Sequence, residues 1–222
     1  MKTTRRYQLL ADHPALDFVN TLDDRYHPDG PVELITSYDE VLQFAIQSKI
    51  LTAAEARTLG RVTPRPAAER ALRRARALRE TVERLFTAVV ENRPIASADV
   101  SILNGYLEHA LKHRIVRSSG LPMVWAWEGI TRDPDSPLWA ISLGAAELLT
   151  SDALVYVRQC ACETCRWLFL DTSKNHSRRW CDMKICGDRM KARAYYRRRT
   201  SSEDGRAAEP ALSQLSSRRA RE

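Results

Sequence analysis

Cysteine is the residue type in this chain whose number and spacing most clearly point to chemistry. All five cysteines lie between positions 160 and 186, and they fall into two groups separated by fifteen residues. The first group is Cys160, Cys162 and Cys165, and the second is Cys181 and Cys186. Because a structural zinc site takes four soft ligands in a tetrahedron, two thiolate pairs across such a loop predict one Zn²⁺ per chain. In a reducing cytosol, metal ligation is favoured over disulfides for cysteines crowded in this way.

The spacing alone leaves the first ligand pair open. Cys162-x2-Cys165 is the commoner zinc knuckle, and Cys160-x4-Cys165 is the other choice. One of the five cysteines is therefore spare in either case.

The positive charge of the chain is concentrated in the part that contains the cysteines. Residues 1–150 hold 19 basic and 19 acidic residues, whereas residues 151–222 hold 16 basic and 9 acidic residues and so carry the whole net charge of +7. Such an asymmetry is typical of a protein with a separate polyanion-binding part.

A basic helix is predicted from Gly187 to Arg199, with Met190, Ala194 and Tyr195 facing inward. Although a run of charge is often only a solvated face, its position directly after the cysteines favours contact with nucleic acid. The candidate nucleic-acid-binding residues are Arg178, Arg179, Arg189, Lys191, Arg193, Arg197, Arg198 and Arg199.

The run from Cys165 to Arg189 closely resembles the CGNR-type zinc finger, a bacterial family regarded as DNA-binding. The family pattern is C-x4-C, then F-x-D-x-S-x-N-x-S-R-R-W, then C-x4-C-G-N-R. This resemblance implies that Cys160, Cys165, Cys181 and Cys186 bind the zinc and that Cys162 is spare. The chain departs from the pattern at Asp188, where the family has Asn; because both side chains cap helices well, we expect the fold to be kept.

The first 150 residues show mostly helical patterns. Serine and threonine caps predict two short helices after Ser37 and Thr52, with Gly60 ending the second, and an apolar stripe predicts a long helix over about 67–91. Further expected elements are a strand at 15–21, a helix opening at Ser97, a β-hairpin within 115–127 and a helix capped by Ser136.

Residues 14–21 resemble the opening of the ABATE domain, a stress-linked regulatory module often found before CGNR fingers. The match continues in Leu78-Arg79-Glu80 and in the two tryptophans of the expected hairpin. Asp17 and Asn20 lie in an apolar segment and need partners if buried, and Arg79 is a candidate. We expect these three residues to meet, either in a structural network or in a pocket for a small ligand.

Together these patterns predict an α+β protein in three parts. A mainly helical ABATE-like domain with a small sheet or hairpin covers 1–150, a four-cysteine zinc finger ending in a basic helix covers 151–200, and a disordered tail covers 201–222. No signal peptide or membrane span is evident, so we expect a cytoplasmic protein without membrane contact.

The function expected from these features is that of a zinc-dependent DNA-binding regulator whose amino-terminal domain senses a signal or forms a homodimer. RNA binding and a zinc-shaped protein-interaction module are the alternatives. An enzyme is disfavoured, because residues 1–150 show no nucleophile with a base, no glycine-rich phosphate loop and no metal-binding histidine motif.

Overall fold

The computed structural model describes residues 7–118 and 120–196. The chain divides into two compact units, Met1–Cys181 and Asp182–Glu222. The tail expected at 201–222 and the basic residues Arg197, Arg198 and Arg199 lie outside the described residues. Among the helices that the structure describes, none has the length and apolar character needed to cross a bilayer.

The first unit is mainly helical, with three small antiparallel sheets of two strands each. Its helices are α1 (Pro14–Val19), α2 (Tyr38–Gln47), α3 (Ala53–Val62), α4 (Arg65–Val90), α5 (Ser97–Leu111) and α6 (Ser136–Leu149), with a 3₁₀ turn at Asp152–Tyr156. Its strands are β1 (Leu22–Asp23), β2 (Val32–Glu33), β3 (Arg114–Arg117), β4 (Val124–Trp127), β5 (Val157–Gln159) and β6 (Leu168–Leu170). The expected α+β class is confirmed.

The core forms where the apolar stripe of α4 meets α1, α2 and α6. Leu78, Val82 and Phe86 of this stripe are fully buried, and Phe18 of α1 packs against Phe44 of α2 with ring centroids 5.3 Å apart. The stripe repeats every three or four residues, which is why the sequence predicted the long helix with bounds close to those observed.

The segment predicted as a strand at 15–21 is instead the helix α1. Pro14 occupies its first turn, and the ring of His13 accepts a hydrogen bond from the Ala15 amide at the amino end. Because every residue from Ala15 to Thr21 is buried, the segment has no exposed polar face, and so it carries no helical period that the sequence could reveal.

The other predicted helices are confirmed, with shifts at two ends. Thr52 and Glu55 form the complete capping box of α3, but Gly60 lies inside this helix, which continues to Val62. The cap of α6 is Asp135 rather than Ser136, whose hydroxyl donates to the carbonyl oxygen of Ile130 instead. The hairpin is also confirmed and pairs Val116 with Trp125 in antiparallel register.

The strand β6 is held to the helical core by the side chain of Asn20, which immediately follows α1. The Asn20 amide nitrogen donates to the Leu168 carbonyl oxygen at 2.9 Å, and its oxygen accepts from the Leu168 amide at 3.1 Å. On the same strand, the Leu170 amide donates to the Ala11 carbonyl oxygen at 2.8 Å. Residues 11–20 therefore supply hydrogen-bond partners to the backbone groups on the edge of β6 that does not face β5.

We predict that Asn20→Asp destabilises the protein by about 2–4 kcal/mol, because the carboxylate cannot donate to the Leu168 carbonyl and brings an unpaired charge into a buried site. Urea denaturation of the zinc-loaded chain measures the loss, and hydrogen exchange at the Leu168 amide reports the detachment of β6. Asn104→Asp, on the exposed surface of α5, is the matched control. Equal stability of the two variants would contradict the role given to Asn20.

Candidate metal centre and basic surface

A tight turn between β5 and β6 carries the first group of cysteines. Cys160 directly follows β5, and its amide donates to the Trp167 carbonyl oxygen at 2.8 Å. The Cys165 amide donates to the Cys162 carbonyl oxygen at 3.0 Å, and Arg166 then takes a left-handed conformation with φ 51°. The turn thereby places the Cys160 and Cys165 sulfurs together.

Four sulfur atoms converge at the metal centre, which consists of Cys160, Cys165, Cys181 and Cys186. All four residues are buried, and their sulfurs lie within 4.8 Å of one another. The Sγ atoms of Cys165 and Cys181 are 3.7 Å apart, close to the edge of roughly 3.8 Å in a tetrahedron with zinc–sulfur bonds of about 2.3 Å. The donor set and its spacing therefore fit one structural Zn²⁺.

The electrostatics of the cluster also favour a bound cation. Hydrogen bonds from the Cys165 and Cys181 thiols lower the pKa of Cys160, whereas the contacts with Cys160 and Cys181, together with burial, raise the pKa of Cys165. One sulfur can thus hold negative charge only while a neighbour keeps its proton. A divalent ion removes this conflict by binding all four sulfurs as thiolates.

Cys162 lies outside this cluster. It is buried, and its sulfur is 3.6 Å from the Thr164 hydroxyl rather than beside the other four sulfurs. Its backbone carbonyl, by contrast, shapes the turn by accepting from the amides of Cys165 and Arg166.

Three aromatic residues lie close to the metal ligands in the sequence. Phe169 and Trp167 are buried, and the Trp167 indole donates to Asp23 at 2.9 Å. Trp180 is partly exposed, with the Arg179 guanidinium 5.3 Å from the centre of its ring.

The loop between the two cysteine groups is organised by the buried carboxylate of Asp171. This side chain accepts hydrogen bonds from the Ser173 hydroxyl and amide and from the Arg178 amide. Burial by itself would raise the pKa of Asp171, but these hydrogen bonds outweigh it and hold the pKa below its usual value. The side chains of Asn175 and Ser177 are exposed on the same loop.

Arg178 has a structural position rather than the one expected of a nucleic-acid contact. Its guanidinium donates to the carbonyl oxygens of Leu10, Trp180 and Cys181 and pairs with the Asp12 carboxylate at 2.8 Å. It also lies over the Phe169 ring, 4.4 Å from its centre. These hydrogen bonds use four of the five N–H donors of Arg178, which leaves it less to offer a phosphate than an exposed arginine has.

The other described candidates for nucleic-acid binding are exposed. Arg179 lies in the first unit, and Arg189, Lys191 and Arg193 lie in the basic helix, the name used here for the helical residues 188–196 of the second unit. A wide π-helical turn at Met183–Gly187, capped by the Asp182 carboxylate, precedes this helix.

The inward face expected for the basic helix is only partly present. Met190 is partly buried, but Ala194 and Tyr195 are exposed, so their predicted inward orientation is wrong. Lys184, in the π-helical turn, is a further exposed basic residue that the prediction omitted because the turn is too short to show a period.

Asp17, Asn20 and Arg79 do not meet as expected. Asp17 accepts from the Ala11 amide at 2.9 Å, and Asn20 binds the Leu168 backbone. Arg79 is buried and binds both oxygens of Glu33, at 2.7 and 2.6 Å. The expectation failed because each polar side chain finds a nearer partner, and no described hydrogen bond joins any two of the three.

Comparison with known proteins gives two adjacent matches. The ABATE family model, described as a "putative stress-induced transcription regulator", matches residues 12–152. The CGNR zinc finger model matches residues 156–199. No curated protein matches the chain significantly. The two models lie in the order expected from the sequence motifs.

We predict that Cys181→Ser abolishes retention of one Zn²⁺ per chain, because the weakly acidic hydroxyl does not replace a thiolate ligand. Cys162→Ser, which can keep the contact with Thr164, is the matched control and should retain the metal. Zinc content after dialysis against a mild chelator measures both. Loss of zinc from the Cys162 variant together with retention in a Cys160→Ser variant would overturn the ligand assignment.

A second prediction concerns Asp17, whose burial raises its pKa to about 6, above the 3.8 of the free side chain. Because the folded-state pKa is raised, the contribution of Asp17 to stability is complete below about pH 4 and is lost as the pH rises through 6. From pH 4 to 7 this loss amounts to about 2–3 kcal/mol.

Asp17→Asn removes the titration while keeping an oxygen for the Ala11 amide. The difference in unfolding free energy between wild type and variant, measured with urea at several pH values, isolates this contribution, because any acid release of zinc affects both proteins alike. A difference that does not change between pH 4 and 7 would show that burial does not raise the pKa.

Proposed function

This chain belongs to the ABATE family and carries a CGNR zinc finger after the ABATE domain, and from this premise we propose that it is a regulator that binds duplex DNA through its basic helix. Zinc organises the finger in this proposal and takes no part in a reaction. The amino-terminal domain supplies the regulatory input.

The observation that carries the proposal is the exposure of basic side chains next to the metal ligands. Arg189, Lys191 and Arg193 follow Cys186 within seven residues, and all three are exposed. The Lys191–Asp188 pair is 3.5 Å long and exposed at both ends, so it holds the lysine only weakly. Duplex DNA carries a dense negative charge that such a helix can neutralise.

The ligand set favours a structural role for this zinc over a catalytic one. Four cysteine thiolates complete the coordination of zinc and leave no position for a water or substrate, which a catalytic zinc needs. We therefore infer that the metal shapes the basic surface and activates no molecule.

Single-stranded nucleic acid, RNA included, is a second candidate because of Tyr195 and Tyr196. These adjacent side chains at the end of the described basic helix are 53% and 65% exposed. Exposed aromatic rings beside basic residues can stack on unpaired bases. Duplex DNA remains the favoured partner because the matched amino-terminal family is described as a transcription regulator.

We predict that Arg189→Gln, Lys191→Gln and Arg193→Gln together weaken duplex binding and flatten its dependence on salt. Each basic side chain that no longer neutralises a phosphate should reduce the slope of log affinity against log salt concentration by about 0.9. Fluorescence anisotropy with the zinc-loaded full chain, at several salt concentrations, measures affinity and slope. A duplex DNA and a single-stranded RNA of equal length are titrated in parallel.

The control removes the same charge from α3 and α4 through Arg61→Gln, Arg70→Gln and Arg73→Gln, which are exposed residues outside the finger. The salt slope of this control variant should fall by less than half as much as the slope of the basic-helix variant. Equal affinities and slopes for wild type and the basic-helix variant would refute the proposal. Tighter binding of RNA than of duplex would favour the second candidate.

A further inference from the structure

The amino-terminal domain contains a second group of metal-ligating side chains, far in sequence from the cysteines. His109 lies in the last turn of α5, His113 lies two residues beyond the end of this helix, and Asp133 lies in the loop before α6. One ligand atom from each of the three residues lies within 4.8 Å of the other two. The spacing H-x3-H places both imidazoles on one side of the helix end, a motif that the sequence analysis overlooked.

The geometry of this group fits a metal ion with little rearrangement. His109 Nε2 is 2.9 Å from Asp133 Oδ2, and His113 Nε2 is 3.9 Å from the same oxygen. Ligands about 2.1 Å from a metal ion are roughly 3.0–3.4 Å apart in octahedral or tetrahedral geometry. The two observed distances lie on either side of this range.

The three side chains are held in place by contacts that leave the ligand atoms together. The His113 ring stacks on the buried Trp139, with centroids 4.0 Å apart and planes 10° from parallel. The second oxygen of Asp133 accepts from the Asp135 amide at 2.8 Å. These contacts fix one histidine and the carboxylate before any ion binds, so little side-chain entropy is lost on binding.

The surroundings contain polar groups without partners. Trp139 Nε1 and Asp135 Oδ1 are buried and have no hydrogen-bond partner among the described residues. Such groups are uncommon in folded proteins. The Asp135 oxygen is suited to accept a hydrogen bond from a water bound to an ion, whereas the Trp139 N–H needs an acceptor such as an ordered water and does not itself bind a cation. Both belong to residues that contact the ligand group directly, Trp139 through His113 and Asp135 through Asp133.

We infer that His109, His113 and Asp133 form a second metal site, which takes a divalent transition-metal ion of borderline softness such as Zn²⁺ or Co²⁺. Two imidazoles and one carboxylate suit such ions better than Mg²⁺ or Ca²⁺, which prefer oxygen ligands. The three residues are partly exposed, and three ligands leave coordination positions open. The site is therefore exchangeable, unlike the closed cysteine site, and gives the amino-terminal domain a chemical input that does not depend on nucleic-acid binding.

The test is a titration of the full chain, loaded beforehand with one equivalent of zinc at the cysteines, with Co²⁺. We expect a second equivalent to bind, and its absorption spectrum should lack the thiolate-to-cobalt charge-transfer band that a cysteine site gives. Equilibrium dialysis against Zn²⁺ should give two metal ions per wild-type chain.

The variant His109→Gln/His113→Phe removes both imidazoles while keeping a flat ring on Trp139. It should bind no second equivalent at ion concentrations that saturate the wild type, because its affinity for the second ion is weakened more than about tenfold. Asp133→Asn, which keeps the acceptor for the Asp135 amide, is a milder variant if the double substitution impairs folding, and should also weaken binding.

The matched control is His27→Gln, because His27 also lies beside an aspartate, at 3.5 Å from Asp29, but belongs to no group of three metal-ligating side chains among the residues that the structure describes. This variant should bind two ions. Absence of a second equivalent in the wild type, or a second equivalent that survives both sets of substitutions, would overturn the inference. Neither result would affect the test of the basic helix.

Discussion

The structure of the finger depends on the side chain of Asn20, which binds the backbone of β6 from the helical core. A two-stranded sheet is at best marginally stable in water, and β5 and β6 have three residues each. Asn20 presents a donor and an acceptor to Leu168 much as a neighbouring strand would. Since β6 follows the turn that carries Cys160 and Cys165, the position of these zinc ligands depends on a residue 140 positions or more earlier in the chain.

The short segment before α1 makes further hydrogen bonds with the finger. The backbone at residues 10–12 accepts from Leu170 and Arg178, and its amide at Ala11 donates to Asp17. Asp12, in a left-handed conformation, pairs with Arg178 and accepts from the Thr172 hydroxyl. Asn20, the backbone of residues 10–12 and Arg178 of the finger loop thus together connect the helical core to the finger.

Local sequence patterns were sufficient to predict the features that depend on local physics. The capping box at Thr52 and Glu55 and the stripe of α4 gave helices close to those observed, because such signals act within a few turns. The cysteine cluster was also predictable, since the ligand types and spacings of a zinc site are restricted.

The roles of Asn20 and Arg178 could not be predicted in this way. Their partners lie 148 and up to 168 positions away, and hydrogen bonds to backbone atoms leave no mark on the residue types of the partner. The expected link between Arg79 and Asp17 had plausible chemistry, but Glu33, on a strand too short to be recognised, is the actual partner of Arg79. The exposed basic surface was overestimated at Arg178 for the same reason.

The joint at Asn20 also has a consequence for how this architecture can be recombined. The two family models meet between residues 152 and 156, which suggests a natural place to exchange one finger for another. The compact unit nevertheless continues to Cys181, so the boundary between the two family models does not coincide with the boundary of this unit. In a chimera joined at the family boundary, residues 10–20 of this chain pack against the β6 of another finger. Such a chimera folds well only if that finger places the backbone of β6 and an arginine equivalent to Arg178 where residues 10–20 can bind them.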